Sequence, residues 1–208
     1  MKKQIICDMI LFKPLPGSLK ESAGQGGPMY VEGIMQRAGS ENQNGRVYPK
    51  EILEREAKKY METFVKENRA YGELDHPDSN VVEVKNSSHT VENLWWKGDD
   101  LYGRLEILNG VTPAGTIVAN ILRRGKTLGI SSRGLGSTKQ IGESTVQVEN
   151  DFELLCWDFV TNPSTQKAFM GIAEGVNPGA TLNGKYLTID NIVRDIFTDT
   201  ADIYNIKG

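Results

Sequence analysis

Residues 91–108, VENLWWKGDDLYGRLEIL, are two strand-type runs joined by the turn signal Gly98-Asp99-Asp100, and much of the chain repeats this plan. MYVEGIMQ from Met29, then STVQVEN and DFELLCWDFV, are further runs of the same type. Asn44-Gly45 marks a sharp turn after the first of them. The 22 glycines and 8 prolines are enough punctuation to keep most elements short. Helical spacing is confined to a few places. Leu53, Ala57, Tyr60, Met61 and Phe64 recur at helix period after Pro49, which predicts a helix ending near Asn68, with Glu51 near its positive end. Thr112 and Pro113 open a second helix that Gly125 closes, and Asn162-Pro163 opens a short third. Strands outnumber helices and are often consecutive. The expected fold class is therefore α+β, with a β-barrel-like core of mostly antiparallel strands and flanking helices.

A chain of 208 residues has room for one main core. Residues 13–28 are rich in Pro, Gly and Ser, so residues 1–28 are expected to be an N-terminal arm and flexible linker. The folded domain is expected over 29–175, with a C-terminal tail over 176–208. A net charge of −3 without a run of one sign argues against a duplex-DNA binder or a membrane-surface protein. No apolar stretch is long enough to span a bilayer, and Asp8 and Lys13 break the only segment resembling a secretory signal, which reads better as an edge strand or an extended arm. With only Cys7 and Cys156, a disulfide framework and a multi-cysteine zinc site are both excluded, and a reducing compartment fits.

Two segments have the makings of chemistry. His76 lies in YGELDHPDSN, a turn-rich stretch where a histidine serves either as a packed turn residue or as an acid–base group. Glu73, Asp75, His76 and Asp78 also offer four metal-type ligands, although a catalytic zinc site usually draws on more imidazoles than this chain's two. The other segment, GISSRGLGS at 129–137, sets two serines and an arginine among glycines. Its order fits neither a P-loop nor a GxSxG elbow, so it is a glycine-rich strand with incidental serines or part of an oxyanion or phosphate site. Trp95 and Trp96 are either core residues on alternate faces of a strand or a stacking platform for single-stranded nucleic acid.

Taken in chain order, YVEGIMQ, NQNGRVYPKEILE, GELDHP, LWWKGDDLYGR, GISSRGLGS and WDFVTNPS resemble the prohead core proteases of large tailed bacteriophages, which share a fold with the herpesvirus assembly proteases. The similarity runs from about Met29 to Ala173. It implies a serine endopeptidase that needs no cofactor and no metal. Its place is the host cytoplasm, inside the assembling prohead, and its substrates are phage scaffold and major capsid proteins. The resemblance makes His76 the catalytic histidine and Ser131 the nucleophile, with Ser132 as the register-shifted alternative. Asp158 matches an acidic position of the phage family and is the expected third member, with His89 as the alternative by analogy with the herpesvirus enzymes. Oxyanion donors are expected near Arg133 and Gly134, with a structural pairing of Arg133 with Asp158 or Glu73 as the equal alternative. The family generally cuts after Glu in an Ile/Leu-x-Glu context, which makes Glu21 and Glu174 self-cleavage candidates. The competing class is a non-catalytic inner-capsid scaffold protein that kept the fold, and the sequence leaves open whether the chain forms a homo-oligomer.

Overall fold

A computed structural model of the chain describes residues 3–17, 20–21, 28–77 and 79–160. The strands are β1 (Gln4–Phe12), β2 (Lys20–Glu21), β3 (Met29–Arg37), β4 (Arg46–Val47), β5 (Tyr71–Glu73), β6 (Ser87–Lys97), β7 (Asp100–Ile107), β8 (Leu128–Gly136), β9 (Thr138–Gln140), β10 (Val146–Val148) and β11 (Glu153–Val160). The helices are α1 (Lys50–Tyr60) and α2 (Pro113–Arg123). Alternation makes the strands: along β7 every second residue is buried, so one face meets the core and the other faces outward. Glycines at positive φ make the sharp reversals, with Gly98 (φ 60°) turning β6 into β7 and Gly45 (φ 72°) closing the Asn44-Gly45 turn.

Two sheets build the core. One has the order β1-β8-β11 and the other β2-β3-β7-β6-β5. Both are antiparallel throughout. They curl toward one another and meet at two seams, each stitched by few bonds. At one seam Leu74 bridges to Phe159 and the Asp75 N–H donates to the Phe159 carbonyl at 2.7 Å. At the other, just past β1, the Leu15 N–H donates to the Glu32 carbonyl at 2.7 Å. The core is thus sheet-rich α+β and barrel-like without being a closed barrel. A third, small sheet, β4-β10-β9, includes one parallel pair.

Helix α1 begins after Pro49 as expected, but Met61–Val65 continue it as a π-helical turn. Thr112 caps α2 by accepting the Gly115 N–H on its hydroxyl at 3.0 Å, and Gly125 follows it at φ 64°. Trp95 and Trp96 divide as strand alternation requires: Trp95 stacks on Tyr102 and Trp96 packs against the core. Among the described residues no helix is long and apolar enough to cross a membrane.

The first 28 residues hold an edge strand in place of an extended arm: all nine residues of β1 pair with β8 at the edge of its sheet, and Ile6 and Phe12 are fully buried in the core. Asp8 interrupts the apolar run, and its buried carboxylate is satisfied by Asn44, Arg46 and Tyr48. Lys20–Glu21, expected within the flexible linker, pair with Tyr30 and Met29. The predicted third helix and the tail over 176–208 lie outside the described residues.

Candidate active site

The loop that carries His76 is fixed by backbone before any side chain is considered. β5 ends at Glu73, Leu74 forms its bridge to Phe159, and Asp75 turns the chain at φ 65°, a left-handed conformation that Asp tolerates better than most residues. Pro77 then keeps His76 out of helical backbone. The bond from the Asp75 N–H to the Phe159 carbonyl anchors this turn one residue from Asp158.

The partners of the imidazole come from the two strands it leans on. β8 is the middle strand of its sheet, and Ser131 stands opposite Met9 of β1 and Asp158 of β11. Directly opposed residues share a face, so the serine and the carboxylate point the same way. His76 sits over both. Its Nε2 is 2.6 Å from Ser131 Oγ, and its Nδ1 is 2.7 Å from Asp158 Oδ2. With the proton on Nδ1, the ring donates to the carboxylate and is left to accept the serine O–H. Ser131 is 1% exposed whereas the His76 side chain is one-fifth exposed, so the pair is approached from the imidazole.

Asp158 is fully buried and well supplied with donors. Its Oδ1 accepts the Glu73 N–H at 2.9 Å and lies 3.3 Å from Arg133 Nη2, while Oδ2 is 3.0 Å from Arg133 Nε. Burial pushes the carboxyl up, but the His76 hydrogen bond, the Arg133 charge and the Glu73 N–H together hold it below the usual carboxylate range. It is therefore anionic at neutral pH.

His89 and Ser132, the alternatives, stand elsewhere. His89 is fully buried, takes a contact from Ser88 Oγ at 2.9 Å on Nδ1 and packs on the Phe159 ring. Burial lowers it to about 4, so it is neutral in the folded protein. Ser132 faces the other side of β8, beside Tyr48 and opposite Asp8. Cys156 is buried 3.3 Å from Asp158 Oδ1, its thiol pushed well up by burial.

The expected oxyanion donors do not fit this arrangement. Arg133 and Gly134 run inside the ladders that β8 makes with β1 and β11. The Arg133 guanidinium is fully buried, donating to Glu73 Oε2 at 2.5 Å and to the Ser79 carbonyl at 2.7 Å. A cation so engaged holds carboxylates. Gly134 serves packing, since a side chain there would overlap the Phe152 ring. The metal-type grouping does not form either: His76 turns to Ser131 and Asp158, Glu73 turns to Arg133, and Asp78 lies outside the described residues.

Glu73, which the sequence offered both as a metal-type ligand and as a possible structural partner of Arg133, is the buried partner of Arg133. One residue of the site escaped the sequence reading. Gly72 lets β5 approach, because any side chain there would overlap the Trp157 carbonyl and the His89 ring. Gly72→Ala is expected to destabilise the fold by about 1–3 kcal/mol through overpacking. It should also reduce activity by shifting the Glu73 N–H off Asp158. Thermal melting and a peptide-cleavage assay check both, and an unchanged melting temperature would show that β5 has room to move.

A hydroxyl, an imidazole and a carboxylate joined in this order are the parts of a peptidase site. The chain belongs to the prohead core protein serine protease family, whose sequence model matches residues 5–177. It is similar to the prohead core protein protease of enterobacteria phage T4, with 38% identity over 143 residues that make up 68% of each chain. It is also similar to the solved structure of the bacteriophage T4 capsid assembly protease, with a TM-score of 0.70 and 32% identity, covering 77% of this chain and 99% of that one.

Proposed function

We propose that this chain is a serine endopeptidase that acts inside the assembling prohead, in the host cytoplasm, on scaffold and capsid proteins. The observation that carries the reading is the continuous contact from Ser131 Oγ through the His76 ring to the Asp158 carboxylate, at 2.6 and 2.7 Å. A serine hydroxyl is a poor nucleophile until a base takes its proton. As Ser131 Oγ bonds to the scissile carbonyl carbon, its proton passes to His76 Nε2, and Asp158 stabilises the imidazolium. The proton then goes to the departing amine, the C–N bond breaks, and an acyl-serine remains. Water, deprotonated by the same imidazole, releases the acid and restores the serine.

The family's preference for Glu after Ile/Leu-x supports Glu21 and Glu174 as self-cleavage positions. Glu21 ends the two-residue strand β2, held to β3 by a short pairing that can peel away more readily than a helix such as α1, which contains Ile52-Leu53-Glu54. Glu174 lies outside the described residues. Incubating the full chain alone and with a peptide containing Ile-Ala-Glu-Gly should give cuts after Glu, read by mass spectrometry as new termini at Ser22, Gly175 and the peptide's glycine. Intact chain and intact peptide would favour a non-catalytic capsid component instead.

A further inference from the structure

We propose that Glu73 is a positioning residue for this site: it offsets the Arg133 charge, so that the buried cluster behind His76 keeps one net negative charge for the imidazolium, and it ties down the loop bearing the ring. The proposal rests on the reading of Ser131, His76 and Asp158 as the reacting groups.

The charge argument begins with three fully buried side chains, Glu73, Arg133 and Asp158. The guanidinium lies between the two carboxylates, 2.5 Å from Glu73 Oε2 and 3.0 Å from Asp158 Oδ2. His76 touches only one of them. Were Glu73 absent, Arg133 and Asp158 would form a neutral pair, and the carboxylate facing His76 would be largely cancelled by the cation behind it. Inside the protein such cancellation matters, because little water is present to screen either charge. With Glu73 in place the second carboxylate neutralises the guanidinium, and the charge of Asp158 is left for the ring.

The other titratable groups around the ring do not alter this balance. On β11 and β1 the Cys156 and Cys7 thiols are pushed up by burial, Cys7 to about 11, so both are neutral. On β6 His89 is neutral, held at about 4 by burial. Asp75, next to His76 in the chain, is exposed and faces water, which screens it.

The second half of the proposal is mechanical. Glu73 Oε1 accepts the Glu83 N–H at 3.1 Å, while its Oε2 holds Arg133, whose Nη1 donates to the Ser79 carbonyl at 2.7 Å. One buried ion pair therefore secures the segment that follows His76 at two points. A carboxylate has the lone pairs to accept from both donors at once, and an amide in its place has only one oxygen to offer.

The test is the pH profile of kcat/KM on an Ile-x-Glu peptide. Glu73→Gln should move the acidic limb to lower pH by about one unit, because the imidazolium loses support. It should lower kcat about tenfold with KM little changed. Removing the cation as well, in Glu73→Gln with Arg133→Gln, restores the net charge and should bring the limb back toward its original pH. Glu73→Asp keeps the charge and shortens the reach, so it should lower kcat with the limb in place. With only two histidines in the chain, the His76 ring can also be followed by NMR, and its titration should shift in the same direction without any turnover. A limb that stays put in Glu73→Gln, or moves in Glu73→Asp, overturns the proposal. A serine-directed fluorophosphonate separates the two readings: a wild type that fails to label at Ser131 sinks the nucleophile assignment, whereas labelling with an unmoved limb sinks only the role of Glu73.

Discussion

Ser131→Ala should lower peptide cleavage by about 10⁶-fold, to near the background left by binding alone, while the protein folds and melts as before. The effect is large because, on the proposed mechanism, the hydroxyl supplies the bond-forming atom, and no neighbouring group can take its place. Ser132 is adjacent in sequence, but strand alternation turns its Oγ to the opposite face of β8, beside Tyr48 and away from His76. Ser132→Ala should accordingly keep most of the activity. Comparing the two variants by intact mass after incubation, with circular dichroism to establish folding, decides between adjacent serines that a motif alone leaves ambiguous. Retained cleavage in Ser131→Ala, or its loss in a folded Ser132→Ala, would move the nucleophile one residue along the strand and break the link to His76.

How much of this was legible in the sequence depends on where the determining forces act. The hairpin of β6 and β7, the capped helix α2 and the start of α1 are local: turn chemistry, capping and periodicity write them into a few adjacent residues. β1 was left between an edge strand and an extended arm because its pairing is with β8, more than a hundred residues away, and the partners that satisfy its buried Asp8 lie in a separate segment nearly forty residues on. β5, three residues long, carries no periodic signal at all. The glycines of GISSRGLGS suggested a backbone opened to a ligand, but Gly129 and Gly134 make room for Met9 and Phe152. The site divides the same way. His76, Ser131 and Asp158, which the family resemblance singled out from three distant segments, lie in contact. Arg133 was left between an oxyanion donor and a structural partner of Asp158 or Glu73, because no local pattern decides for a charge partner sixty residues away; the fold sets it against both carboxylates.

Asp158→Asn is expected to lower kcat by about 10⁴-fold with little change in KM, an effect larger than any loss of packing would give in a side chain so nearly isosteric. The reason lies in proton positions. Asp158 presents two acceptors: Oδ1 takes the Glu73 N–H, and Oδ2 takes the His76 Nδ1–H with Arg133 beside it. An asparagine keeps one acceptor and gains an amide donor. With its oxygen still on Glu73, the NH₂ group faces His76, which must then accept on Nδ1 and carry its proton on Nε2, toward Ser131. A ring in that tautomer has no lone pair for the serine O–H. The same substitution has a signature in stability that activity cannot mimic. A carboxyl held below its ordinary range stabilises the folded state at pH above the unfolded value, and that contribution is lost as pH falls through the folded value. The wild type should therefore lose melting temperature on acidification below the usual carboxylate range, and Asp158→Asn should lose less over the same interval. A variant that keeps wild-type kcat would show that the carboxylate is dispensable to the imidazole. One that loses kcat yet melts in acid like the wild type would show that Asp158 is not held anionic by its buried partners, and the electrostatic account of the site would fall with it.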